Sequence, residues 1–182
     1  LGRKVVYIAT EWRLNPRDLT NIDKLDPSLV QVIRSTENSI LTAQDYFQIA
    51  DTIMRNDKYV MLVMDSFSML CDAGEMAEDD YNQGQPAAVS RMTSTFAKRM
   101  APIVPLNKNI LIGIFHDYAN IGGKTARKAA IPSKMAFLRS TGLLCNWVEP
   151  RKDSKGKQFG QITHWTVERS MLPGGSTRSE EH

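Results

Sequence analysis

Tyr59-Val60-Met61-Leu62-Val63-Met64-Asp65-Ser66 is the stretch whose reading decides the fold. Six consecutive apolar or aromatic residues follow Asp57-Lys58 and end abruptly in a carboxylate and a hydroxyl. A run of that length with polar bounds reads as a strand buried on both faces of a parallel sheet. Burying Asp65 within it is costly, so its carboxylate is expected at the strand's carboxyl end, the edge where open α/β sheets bind ligands. A core strand that merely happens to end in Asp is the competing reading.

On the amino-terminal side, Thr42 reads as a helix N-cap with Asp45 three residues on, and Tyr46, Ile49, Ala50, Ile53 and Met54 form one apolar stripe. Before it, Lys4–Ala9 and Leu29–Ile33 read as strands, with a short helix expected over Arg17–Leu25. Strand–helix–strand order implies a parallel sheet. On the carboxyl side, Cys71–Gln85 lacks periodicity and reads as a long loop. Pro86 opens a helix expected to run to about Met100, with Pro102 and Pro105 ending it. Asn109–Phe115 is a further buried strand closing in His116-Asp117. Tyr118–Ser133 is polar, basic and long for a structureless connection, a length that is usually functional or disordered. Leu143–Val148 and Gln161–Val167 read as an antiparallel hairpin about the solvated turn Arg151–Lys157, and the tail from Gly174 to His182 as frayed.

The 182 residues suit one globular domain, expected over 1–173 with a flexible tail over 174–182. No apolar run approaches a bilayer span, and Leu1-Gly2-Arg3-Lys4 lead into a strand without a signal-peptide core, so a cytoplasmic protein with no membrane partner is expected. Cys71 and Cys145 have neither metal nor redox spacing and read as free thiols. A net charge of +3 does not by itself point to nucleic acid; its distribution says more, with acids gathered over 72–80 and bases over 124–157.

Three apolar strands thus end in polar residues at what should be one edge: Glu11, Asp65-Ser66 and His116-Asp117. A carboxylate to activate water, a second to hold Mg²⁺ and a donor to sense a phosphate are the requirements of nucleotide hydrolysis. Each residue also has a plain reading, Glu11 as a solvated loop residue and His116 as an imidazole satisfied by a neighbour.

With these residues in order, the chain resembles the ATPase core of the RecA family of recombinases, and within it the phage UvsX-like branch. Val6–Pro16 is similar to the family's strand ending in its catalytic Glu, which implies that Glu11 orients the attacking water. Val60–Ser66 resembles the Walker B strand, which implies Asp65 and Ser66 at the nucleotide and Asp65 on Mg²⁺. Arg91-Met92 and Lys98 match the helix after the first DNA-binding loop. Pro102, Lys108-Asn109 and Ile114-Phe115-His116 look similar to the phage branch, where a His replaces the glutamine that senses the γ-phosphate. Tyr118–Ser133 would then be the second DNA-binding loop, with Lys124, Arg127 and Lys128 meeting phosphates; a plain solvated loop is its alternative. The implied fold is α/β, a RecA-like P-loop NTPase core with a largely parallel central sheet flanked by helices and a carboxyl-terminal antiparallel hairpin.

The pattern G-x-x-x-x-G-K-[ST] does not occur in the sequence. Ile121-Gly122-Gly123-Lys124-Thr125 reproduces only its end, and Pro132 restricts the helix that would have to follow. The P-loop strand, loop and helix, on the order of 30 residues, are therefore expected from elsewhere, leaving apolar sheet edges that invite pairing. This chain alone is expected to lack ATP hydrolysis or to obtain the strand from another polypeptide. Arg169, beside Glu168 and Ser170, is either a residue reaching a neighbouring subunit's γ-phosphate or an ordinary surface Arg. The implied function is ATP-dependent DNA strand exchange, with ATP and Mg²⁺ as cofactors and a helical homo-oligomer on single-stranded DNA. The rivals are a RecA-fold replicative helicase and a P-loop-less paralogue that regulates filaments without catalysis.

Overall fold

β-Branched and aromatic runs in the first part of the chain assemble into one four-stranded sheet. The computed structural model describes residues 4–14, 17, 19, 25–77, 87–119, 127–129 and 131–171. Strands β1 (Val5–Ala9), β2 (Val30–Ile33), β3 (Met61–Asp65) and β4 (Ile110–Gly113) lie in the order β2-β1-β3-β4. Every pairing is parallel, and the register sets Val5 beside Met61, Met61 beside Ile110 and Ala9 beside Asp65. Four helices accompany them among the described residues: α1 (Ala43–Asn56), α2 (Ala73–Ala77), α3 (Ala88–Leu106) and α4 (Ser133–Leu138).

The pleat sorts the strand residues. Val6, Ile8, Leu62 and Met64 are fully buried in a core shared with Tyr46, Phe47, Ala50 and Met54 of α1 and Phe96, Ala97 and Met100 of α3. Val5, Tyr7, Met61 and Val63, of opposite parity, are half-buried. Ile110, Ile112 and Ile114 are 45%, 41% and 39% exposed. Burial of residues 59–64 on both faces is therefore corrected: among the described residues one face is sealed, because both long helices pack on the same side. Tyr59 lies outside the strand, exposed, with a left-handed φ of 59°.

Helix α1 begins as expected. The Asp45 amide donates to Thr42 Oγ1 at 3.3 Å and the Thr42 amide to Asp45 Oδ2 at 2.8 Å, a reciprocal capping box. Its carboxyl end is closed from a distance. Asn107 Nδ2 donates to the Met54 and Arg55 carbonyls, and Asn109 Nδ2 to those of Met54 and Asp57, while Asn109 Oδ1 accepts from the Val60 amide at 2.9 Å. Both asparagines are buried, and these bonds satisfy carbonyls that a helix end leaves without partners.

Helix α3 runs through Pro102 and Pro105 to Leu106, past the expected end at Met100. Each proline removes only its own amide, and the bonds around them persist: Asn107 N to Ile103 O at 3.0 Å, and Asn109 N to Val104 O at 2.9 Å. The end is a Schellman turn, with Lys108 in the left-handed position at φ 54° and its amide on the Pro105 carbonyl.

Three further segments differ from expectation. Within Cys71–Gln85, α2 is a short helix capped by Asp72, whose Oδ1 accepts the Gly74 and Glu75 amides. Tyr118–Ser133 is not structureless: β5 (Asp117–Ala119) and β6 (Arg127–Ala129) pair antiparallel. Helix α4 follows Pro132 directly, because proline's missing amide costs nothing at a helix start. The expected P-loop-like match at 121–125, the tail from 174 and most of the expected helix over 17–25 lie outside the described residues.

By contacts the chain divides into two units, Leu1–Leu138 and Arg139–His182. The second holds the expected hairpin, longer than its apolar cores suggested: β7 (Thr141–Lys152) and β8 (Gln158–Ser170). Its turn is set by Asp153 Oδ1, which accepts the Lys155 and Lys157 amides at 2.9 Å, and by Gly156 at φ 78°. None of the described helices is long and apolar enough to cross a membrane.

The clamp at the end of α1 yields an opposed pair of outcomes. Asn109→Ala takes the side-chain partners from the buried Val60 amide and the Asp57 carbonyl, while the Met54 carbonyl keeps Asn107, and is expected to lower stability by about 2–4 kcal/mol. Lys108→Gly relieves a left-handed position and is expected to raise it by up to about 1 kcal/mol. Urea denaturation of both variants checks the two signs.

Candidate functional site

The carboxyl ends of β1, β3 and β4 are stitched together beyond the sheet itself. The Thr10 amide donates to the Asp65 carbonyl at 2.8 Å, Thr10 Oγ1 accepts the Ser66 amide at 2.8 Å, and the same hydroxyl donates to the Ser66 carbonyl at 2.9 Å. The Asp65–Ser66 peptide is cis. Past β4, the Ile114 amide reaches the Met64 carbonyl and the Phe67 amide reaches the Ile114 carbonyl. Phe67 and Phe115 stack with centroids 4.7 Å apart, and the His116 amide donates to Ser68 Oγ at 2.8 Å. A Cβ on Gly113 would lie 2.8 Å from the Phe67 ring, so this stack needs glycine there.

This scaffold brings together Glu11, Ser66 and His116. Ser66, fully buried, donates its hydroxyl to Glu11 Oε1 at 2.5 Å; His116 Nε2 meets the same oxygen at 2.7 Å; Arg13 Nε meets Oε2 at 3.0 Å. The Glu11 side chain is only 5% exposed. The Ser66 hydrogen bond, opposed by burial and aided by the charges of His116 and Arg13, holds its carboxyl below the ordinary carboxylate range. Glu11 is thus ionised at neutral pH with both oxygens engaged.

Asp65 stands beside this cluster in different company. The Tyr7 hydroxyl donates to Asp65 Oδ2, and Oδ1 has no hydrogen-bond partner among the described residues. Burial, then the bond to Asp65 and the charges of Asp65 and Glu11, push the Tyr7 phenol well above its ordinary value. Tyr7 therefore stays a neutral donor at any physiological pH, and it engages only one of the two Asp65 oxygens. Among the described residues no three His, Cys, Asp or Glu side chains group to hold a metal ion. A lone carboxylate does fit Mg²⁺ that arrives on phosphates, since that ion is usually held by one or two carboxylates plus substrate oxygens.

The other expected residues stand apart from this cluster. Arg91 is exposed early in α3, and no contact among the described residues joins it to Glu11, Asp65 or His116. Arg127 and Lys128 lie in β6, in register with Ala119 and Tyr118; their side chains, like Lys124 as a whole, lie outside the described residues. Arg169 sits in β8 in register with Gly142, its side chain also outside the description, while Glu168 pairs with Arg139 at 2.9 Å. Both cysteines are free, and burial pushes the Cys71 thiol up, away from nucleophilic use. Reading the sequence missed Tyr7, Thr10 and Arg13. Its available signal was a phenol placed two residues before the end of β1.

No family model matches the chain, and no curated protein matches it. The site's chemistry therefore rests on its own geometry.

Because the Glu11 carboxyl is depressed, its network stabilises the fold above the ordinary carboxylate range and loses that contribution as pH falls through the lowered value. Ser66→Ala removes the largest cause and is expected to cost about 1.5–3 kcal/mol at pH 7. The difference from the parent chain should shrink as the solution is acidified past that range, which denaturation at several pH values measures. Gly113→Ala is expected to cost about 1–3 kcal/mol by displacing the Phe67–Phe115 stack, and to shift the His116 imidazole resonances in the NMR spectrum.

Proposed function

We propose that the chain is a RecA-like ATPase core acting in ATP-dependent DNA strand exchange, assembled as a filament on single-stranded DNA. The observation that carries this reading is the meeting of Glu11, Ser66 and His116, with Asp65 adjoining, at the carboxyl edge of a parallel sheet.

In this reading Glu11, ionised and nearly buried, orients water and takes its proton as the water oxygen bonds to the γ-phosphorus and the bond to the ADP oxygen breaks. Asp65, one of whose oxygens Tyr7 holds, would be the carboxylate that carries the nucleotide's Mg²⁺. Magnesium, when bound, neutralises charge developing on the phosphate oxygens. His116 links two events: leaving Glu11 for the γ-phosphate frees an acceptor for water, and the same residue adjoins Asp117, where β5 begins. The β5–β6 ribbon carries Arg127 and Lys128, assigned here to DNA phosphates with Arg91 and Lys124. The phosphate-cradling strand, loop and helix come from outside these residues. Among the described residues β4 is an edge strand of the sheet, and its Ile110 and Ile112 are exposed, which suits such an addition.

A second reading, a filament regulator that binds without hydrolysing, is favoured by one observation: in the structure both Glu11 oxygens are already engaged.

Anisotropy of a labelled single-stranded oligonucleotide, with and without MgATP, together with phosphate release, tests these readings. The core reading expects ATP to tighten DNA binding and Asp65→Asn to abolish that tightening. It expects no phosphate release from the chain alone. Release should appear when a polypeptide bearing the Gly-rich strand–loop–helix is added, and Glu11→Gln should then slow it by about 10²–10⁴-fold. DNA binding that never yields phosphate release would select the regulator. Binding of neither nucleotide nor DNA would overturn both.

A further inference from the structure

Trp12 is conspicuous in three independent ways. It holds a left-handed backbone, φ 57°, a conformation that a bulky residue adopts only where its surroundings impose it. The residue is 53% exposed, an unusual share for a tryptophan. The guanidinium of Arg34 lies over that ring, 5.2 Å from its centroid.

The location adds a fourth point. Arg34 directly follows β2 and Trp12 follows β1 by three residues, and these strands are parallel neighbours. Both residues therefore stand at the carboxyl edge of the sheet, where open α/β folds take ligands. No carboxylate among the described residues pairs with Arg34, whereas Arg13, 78% exposed, gives its Nε to Glu11 and keeps the rest of its guanidinium toward solvent. An exposed aromatic ring with one guanidinium over it, next in sequence to a second exposed guanidinium, has the chemistry to hold a nucleobase attached to a phosphate. Stacking on such a face tolerates any base, since every base has a π-surface.

We infer that Trp12 and Arg34 form a stacking platform for a nucleobase carrying a phosphate, with Arg13 completing its positive field. Nothing in the proposed hydrolysis uses this pair, so the inference stands apart from that reading. It would set a bound base one residue from Glu11. The base comes either from a mononucleotide or from a single strand, and the experiment separates the two.

The chain contains three tryptophans, Trp12, Trp147 and Trp165. Labelling with 5-fluorotryptophan and assigning the Trp12 ¹⁹F resonance through Trp12→Phe gives a local probe in the intact protein. ATP, oligothymidylate and inorganic phosphate are titrated separately. A strand platform shifts the Trp12 resonance with oligothymidylate, and Trp12→Ala weakens that binding on the order of ten-fold or more. A mononucleotide platform gives the same pair of results with ATP. Inorganic phosphate alone leaves the resonance in place. Trp12→Gly, which suits the left-handed backbone, guards against a folding artefact by keeping the melting midpoint while losing the ligand. The inference is overturned if neither ATP nor oligothymidylate moves the resonance, or if Trp12→Ala binds both as the parent does. Should the anisotropy assay still show ATP-tightened DNA binding in that case, the recombinase reading survives alone. A shifted Trp12 resonance without that tightening keeps the platform and overturns the recombinase reading.

Discussion

Everything at the sheet's carboxyl edge depends on the register between β1 and β3. Ala9 pairs with Asp65, and Thr10 then binds Ser66 through both amide and carbonyl. A slip by one residue would send every side chain of one strand to the other face. Tyr7 would leave Asp65 for the helix-covered side, Val6 and Ile8 would leave the core, and Glu11 would lose Ser66. The fully buried Val6, Ile8, Leu62 and Met64 make that slip expensive, so the hydrophobic core is what holds the polar cluster in place. Site geometry and core stability here are one constraint seen from two sides.

Support also comes from beyond the strands. Phe67, the residue after Ser66, packs against Phe47 of α1 and Phe96 of α3 and stacks on Phe115, which precedes His116. The aromatic group thus spans both long helices and the exit of β4, fixing two members of the polar cluster through their chain neighbours. Asn107 and Asn109 do the equivalent work at the opposite edge, tying the ends of α1 and α3 to the start of β3. A carboxylate as secluded as Glu11 is tolerable only because three donors meet it. Its ionisation is set by this frame more than by its own position in the chain.

Much of this was legible in the residues, and the failures have a common cause. Apolar runs located β1, β3 and β4, the Thr42–Asp45 spacing located the start of α1, and polar strand ends located Glu11, Ser66 and His116 together. Those signals are local or depend only on strand direction. Tyr7 was missed because its partner is chosen by register, which no single strand encodes. Helix α3 outran Pro102 and Pro105 because its end is secured by a Schellman turn and by asparagines bonded to another helix. Helices α2 and α4 and the β5–β6 ribbon are too short for periodicity to build up. An unbroken apolar run also cannot say whether one face or two will be covered, and among the described residues β3 has one.

The engagement of Glu11 carries a mechanistic consequence within the proposed reading. A carboxylate with both oxygens occupied has little room to orient water, so a base of this kind is held in reserve. Ser66 is fully buried and cannot withdraw without opening the core, whereas the His116 side chain is 45% exposed. His116 is thus the partner that an incoming ligand can reach. A hydrogen bond to a charged group contributes about 1.5–3 kcal/mol, and a phosphate oxygen offers the imidazole a bond of similar strength. The exchange of one anion for another is then close to neutral, so modest differential binding suffices to throw it. Ser66 would remain on Oε1 and Arg13 on Oε2, keeping Glu11 ionised and aimed while one acceptor position opens. The asymmetry between a sealed donor and an accessible one is what lets the same three residues be both a stable cluster and a responsive one.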